Sequence, residues 1–165
     1  MKSKKANRGM FLESIIDKTN EFYMLEGIAD IRKVPTPFQV IRPYEKNPSM
    51  KVGFLKKGNW VDYVGISYNK MICFEAKETK GKSLSLSRIP EHQYEFLKSY
   101  HNKGAQAFLI VYFSDMDKFY KIYFKTLETA FKEAKEGERK SIPIKVFEKE
   151  AIELRINLSG HLFYL

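Results

Sequence analysis

The chain predicts an α/β fold, a mixed β-sheet flanked by helices, and three observations carry that expectation. Apolar residues recur at helical spacing over 10–25, with Leu12, Ile16, Thr19 and Tyr23 centring the stripe and Gly27 supplying a stop. Two β-prone runs, VDYVGISY and MICFEAK, meet at Asn69-Lys70 and read as a hairpin within 60–79. A second helix, with Pro90 in its first turn and Gly104 past its end, leads into AFLIVYF at 107–113, a buried strand too short to span a bilayer. Helix, strands, hairpin, helix and strand in that order describe such a sheet.

Taken in order, residues 1–8 form a basic arm, either solvated or laid along a phosphate backbone. In the first helix Glu13 falls on the flank of the buried stripe, whereas Asp17 and Glu21 point further towards solvent. Glu13 is either a first-turn acid favoured by the helix dipole or an acid meeting something at the edge of the core. Strands are expected at 28–34 and 38–42, separated by Pro35-Thr36-Pro37. The stretch 43–58 is poorly periodic and interrupted by Pro43, Pro48, Gly53 and Gly58. Over 32–57, Arg32, Lys33, Arg42, Lys46, Lys51, Lys56 and Lys57 stand against Glu45 alone, which suggests a projecting basic loop or ribbon. Phe54 and Trp60 flank it, placed either to pack or to stack on bases.

After the hairpin, 80–87 reads as a linker. Ile89, Gln93, Phe96, Leu97 and Tyr100 then form the stripe of the second helix. Gln93 is its uncharged polar member and needs a partner where it is buried: a water, a nearby carboxylate, or a capping contact. A strand at 106–114, an edge partner at 120–124, a helix at 126–136, a last strand at 142–147 and a short helix at 148–154 complete the reading.

The 165 residues are 44% hydrophobic, which suits a single domain spanning 1–165. Lys and Arg number 29 against 20 Asp and Glu, a net charge of +9 that favours a polyanion, with nucleic acid ahead of an acidic membrane surface. One cysteine, Cys73, excludes an internal disulfide, and no Cys/His cluster suggests zinc. No apolar segment follows the basic start, so a cytoplasmic protein is expected.

The hairpin carries the chemistry. With Asn69-Lys70 as its loop, Asp62 faces Lys77 and Val64 faces Glu75, so Asp62, Glu75 and Lys77 share one face of the sheet. Two carboxylates at that range repel each other, and burying them is costly unless they are paired. A hard divalent cation would relieve this, since Mg²⁺ takes oxygen ligands and keeps water, a nucleophile that Lys77 is placed to orient. A surface ion-pair ladder is the alternative reading of the same pattern.

Several stretches together resemble the RecU-type Holliday-junction resolvases of the PD-(D/E)xK nuclease superfamily. They are NRGMFLESIIDKTNEFY at 7–23, VPTPFQVI at 34–41, VDYVG with FEAKET, His92-Gln93 and AFLIVYF, in order along nearly the whole chain. The resemblance implies a restriction-endonuclease-like mixed sheet in which 35–59 is an inserted stalk that enters the open centre of a four-way junction. It implies that Asp62 and Glu75 bind metal together with the Ala76 carbonyl. Lys77 would be the superfamily lysine, Glu13 a further catalytic acid, and Gln93 a support behind them. Asn7 and Arg8 would contact DNA, joined by the basic residues of 32–57. The implied cofactor is Mg²⁺, with Mn²⁺ as a substitute, and the implied assembly is a homodimer that makes paired cuts. A recombinase or branch-migration helicase would be a partner. Val61 stands where the family leads one to expect a small hydroxyl residue, and the ending SGHLFYL lacks the family's charged residues. The rival functions are a flap or duplex nuclease of the same fold and a non-catalytic architectural DNA-binding protein.

Overall fold

The computed structural model describes residues 9–55 and 58–165; Asn7, Arg8, Lys56, Lys57 and the arm at 1–8 lie outside them. Helix α1 (Met10–Leu25) forms on the expected stripe and buries Leu12, Ile16, Thr19, Asn20 and Tyr23. Strands β1 (Ala29–Lys33), β2 (Phe38–Tyr44), β3 (Asn47–Leu55), β4 (Tyr63–Ser67), β5 (Lys70–Thr79) and β6 (Ser83–Ser85) follow. Then come α2 (Glu91–Asn102), β7 (Gln106–Phe113), β8 (Lys118–Tyr123), α3 (Phe124–Lys135), β9 (Ser141–Pro143), α4 (Ile144–Glu150) and β10 (Ile152–Leu154).

The main sheet has six strands in the order β1-β4-β5-β7-β8-β10. β5 and β7 are parallel and joined through α2, and the other pairs are antiparallel. Alternation along the strands builds a core on each face. Phe74, Phe108 and Ile110 pack with α1 and the chain end, while Cys73, Leu109 and Val111 pack with α2, α3 and α4. Among the described residues no helix is long and apolar enough to cross a membrane.

The hairpin turns at Tyr68-Asn69, one residue earlier than the sequence suggests, with Ser67 paired to Lys70 and Tyr63 to Phe74. Both turn residues have positive φ, 46° and 64°, as a two-residue type I′ loop demands. Asn adopts that conformation more readily than Lys, so the loop ends on Asn69. Moving the loop by one residue moves each cross-strand partner by two, so every side chain keeps its face. Gly65 has a separate reason. A Cβ there would lie 2.2 Å from the Asp30 carbonyl oxygen and 2.5 Å from Ile31 Cα, so glycine is what lets β1 approach β4. Gly65→Ala is expected to lower stability by about 2 kcal/mol, read as a lower urea midpoint at unchanged slope. An unmoved midpoint would mean that β1 yields without cost.

Other differences have equally local causes. The stretch after Pro43 holds a strand, β3, paired with β2 as a separate two-stranded ribbon. Every residue of β2 is exposed, so no hydrophobic alternation betrays the pairing. Irregular register between Val40 and Arg42 and between Pro43 and Tyr44 accommodates the proline. The presumed linker at 80–87 contains β6 and a 3₁₀ turn, Leu86–Arg88. Pro90 caps α2 instead of lying in its first turn, and Tyr94 joins Leu97 as the helix's buried residues. β8 is not an edge, because β10 pairs beyond it. The strand expected at 142–147 is β9 followed by α4: Pro143 caps a helix whose Ile144 and Phe147, three apart, share the buried face. The helix expected at 148–154 therefore ends at Glu150, and extended Ala151 leads into β10.

The chain end is locked onto α1. Leu162 N–H donates to Thr19 Oγ1 at 2.9 Å, Tyr164 N–H to Tyr23 Oη at 2.9 Å, and the Tyr164 hydroxyl bonds Asn20. The ending SGHLFYL, which lacks charged residues, is held by buried Leu162 and Tyr164.

Candidate active site

Asp62 stands just ahead of β4, and the observed register sets it beside Glu75 near the middle of β5. The backbones and carboxylates interlock: Asp62 N–H donates to Glu75 Oε2 at 3.0 Å, and Ala76 N–H donates to Asp62 Oδ2 at 3.1 Å. Glu75 Oε1 also accepts from Lys77 Nζ and from Gln93 Nε2, each at 2.6 Å. Lys77 Nζ donates in turn to Gln93 Oε1 at 3.1 Å. Gln93, half-buried in the first turn of α2, therefore finds the nearby carboxylate that its place on the stripe allowed. It spans the acid and the lysine and holds each against the other.

Burial decides the electrostatics. The Glu75 side chain is 1% exposed and the Lys77 side chain 14%. Desolvation, and then the charge of Asp62, push the Glu75 carboxyl well above the usual carboxylate range, against the pull of Lys77. Such a site prefers added positive charge. Asp62, Glu75 and the Ala76 carbonyl are hard oxygen donors, the set that Mg²⁺ takes while keeping water for its remaining positions. The residues present fit that ion. Val61, 2% exposed, packs in the α2-side core, so apolar contact occupies the position where a hydroxyl was expected.

Glu13 lies on the flank of α1, as its period indicated, but its carboxylate is tied to Lys33, Oε2 to Nζ 2.7 Å. That hydrogen bond is the largest influence raising the Lys33 pKa. Among the described residues no group of three or more Asp, Glu, His or Cys side chains is close enough to hold one ion, so Glu13 stands outside the Asp62-Glu75 pair. Asp17, exposed as expected, also accepts from the buried Tyr63 hydroxyl at 2.7 Å, pinning α1 to the hairpin. The period of α1 could not reveal that contact, because it joins two elements.

The basic residues divide by location. Lys33 pairs with Glu13, and Arg32 with Asp30 at 2.5 Å, both on β1 of the main sheet. Arg42 pairs with Glu45 at 3.0 Å on the ribbon, where Lys46 and Lys51 are also exposed. Gly9 N–H reaches Glu78 Oε2 at 3.1 Å and ties the start of α1 to the far end of β5; no sequence pattern indicated this.

The model of one protein family, Recombination protein U, matches residues 7–165. The chain belongs to the RecU family. It is 33% identical over 162 residues to the Holliday junction resolvase RecU of Pediococcus pentosaceus, covering 96% of this chain and 81% of that protein. It is 34% identical over 163 residues to the RecU of a Geobacillus species, at 96% and 81% coverage, and 37% identical over 141 residues to that of Bacillus cereus, at 83% and 70%. The fold matches that of Archaeoglobus fulgidus Hjc, a Holliday junction resolvase, with TM-score 0.52 at 12% identity over 85% of this chain and 94% of that one. The mixed sheet with helical flanks is thus shared with that protein, and family membership rests on the sequence matches.

Proposed function

We propose that this RecU-family chain is a Mg²⁺-dependent endonuclease that resolves four-way DNA junctions by paired symmetric nicks, acting in the cytoplasm as a homodimer. The observation that carries the reading is the interlocked set Asp62, Glu75, Lys77 and Gln93, with one acid buried and held above its ordinary pKa. Asp62, Glu75 and the Ala76 carbonyl would hold the ion, with Mn²⁺ as a substitute. When bound, Mg²⁺ supplies charge to a phosphate and makes water easier to deprotonate. Lys77 holds its ammonium where charge develops on the phosphate and donates towards the attacking water. Gln93 keeps Glu75 and Lys77 from drifting apart, and Glu13 with Lys33 forms the rim on the α1 side. The exposed basic ribbon suits phosphate contacts at the open centre of a junction, where shape matters more than base identity.

The test uses an immobile four-way junction and a matched duplex, each with Mg²⁺ and then with Ca²⁺ to separate binding from cutting. Symmetric nicks confined to the junction are expected, lost in the Asp62→Asn, Glu75→Gln double variant while binding persists. Junction binding without cutting by the wild-type chain would leave an architectural protein on a nuclease fold. Equal cutting of the duplex would leave a general nuclease.

A further inference from the structure

A half-exposed indole and a small cleft open on the ribbon side of Asp62. Trp60 is the chain's single tryptophan, and 49% of its surface remains exposed. Its ring lies 5.3 Å from that of Phe96, and Phe96 stacks on Tyr100 at 4.2 Å and 16°. The rings run from the rim of the site along α2. Beside Trp60 lies a cleft of about 140 Å³ bordered by Pro35 and Pro37 at the root of the ribbon, by His92, and by Asp62 and Gln93 of the site.

Size and lining narrow what the cleft can take. At about 140 Å³ it is smaller than a pocket for a whole small molecule, which runs to several hundred cubic ångströms, but it has room for one flat ring system. Its lining among the described residues is proline, aromatic and uncharged polar groups around the single carboxylate of Asp62. Rigid proline rings, an open indole face and polar edges at His92 and Thr36 suit a nucleobase, which brings a π-face and hydrogen-bonding edges. Because Asp62 lines the cleft and belongs to the candidate metal pair, a base in the cleft would belong to a nucleotide close to the phosphate being cut.

We propose that Trp60 stacks an unpaired base of the cut strand, next to the scissile phosphate, and thereby positions that phosphate over Asp62 and Glu75. This rests on the junction-cutting function proposed above. A junction centre supplies such a base at low cost, because pairing there is already interrupted, whereas intact duplex must first unstack one. Trp60 is thus a positioning residue that also favours branched over plain duplex DNA.

The single tryptophan is its own reporter. In Ca²⁺, titration with an immobile four-way junction is expected to quench Trp60 fluorescence, and an abasic site at one nucleotide flanking the cut to remove the quench. With Mg²⁺, Trp60→Ala and that abasic junction are each expected to slow cleavage roughly tenfold. Combined, they are expected to slow it no further, and Trp60→Phe to keep most of the rate. Quenching indifferent to abasic sites at every flanking position, or losses that multiply, would overturn this inference while leaving the nuclease reading intact. A wild-type chain that neither binds nor cuts the junction would overturn both. The abasic junctions test the stack on the wild-type chain itself, so a misfolded alanine variant does not leave the question open.

Discussion

Lys77→Met is expected to slow junction cleavage by about 10²–10³-fold, with junction binding in Ca²⁺ retained. The ammonium sits 2.6 Å from Glu75 Oε1 and 3.1 Å from Gln93 Oε1, and its side chain is 14% exposed, so water does little to screen its field. Its removal leaves Glu75 beside Asp62 with Gln93 as the remaining donor to Oε1, and if the pair holds Mg²⁺ as proposed, its affinity for that ion is expected to rise. Binding and turnover should therefore separate: metal affinity, followed by calorimetry, no weaker than wild-type, and single-turnover cleavage far slower. Lys77→Arg keeps the charge in a bulkier, planar group and is expected to fall between the two. Cleavage by Lys77→Met at the wild-type rate would reduce the lysine to a structural partner of Glu75. Weakened metal binding would mean that the ammonium organises the acids and has no part in the chemistry.

The sequence exposed this cluster although the hairpin loop was misplaced, because strand parity survives a shift of two in pairing. Asp62, Glu75 and Lys77 share a face in either register, and only their order along it changes. Gln93 was legible as an uncharged polar residue in an apolar stripe, a pattern that demands a partner, but which partner depended on α2 packing over β5. Elements with one buried face were the readable ones: α1 from Leu12, Ile16, Thr19 and Tyr23, and β7 from its apolar run. The ribbon strand β3 escaped because its partner β2 is exposed along its whole length, so no buried face of that strand imposes a period. The 142–154 stretch misled because Ile142, Ile144 and Val146 alternate like a strand, while Ile144 and Phe147 obey the helix that Pro143 initiates. Contacts between distant elements, such as Tyr63 to Asp17 and Gly9 to Glu78, leave no local trace at all.

Lys121 is the extreme case of a residue that no pattern announced, and its contribution to stability is expected to change with pH in the alkaline range. Alternation along β8 turns it onto the α1 face between Phe119 and its cross-strand neighbours Ile110 and Ile152, where it is 3% exposed. Its ammonium donates to the Tyr164 carbonyl at 2.8 Å and lies 4.4 and 4.9 Å above the rings of Phe108 and Tyr123. No carboxylate pairs with it among the described residues. Burial lowers its pKa from 10.5 to about 8. A buried amine with a depressed pKa is protonated in both the folded and unfolded chain at pH 7, so folding there carries the full cost of enclosing the charge. Between about 8 and 10.5 the folded state has released the proton while the unfolded state still holds it. The contribution of Lys121 to stability therefore rises with pH across that window. The Lys121→Met variant has no such titration. The stability difference between Lys121→Met and wild-type is therefore expected to shift by about 3 kcal/mol in favour of wild-type from pH 7 to pH 10.5. Urea unfolding of both proteins at each pH measures this, and titrations common to the two cancel in the difference. Parallel curves would mean that the amine stays charged in the fold, held by the Tyr164 carbonyl and the two rings, and that the chain end clamps a cation instead of enclosing a neutral amine.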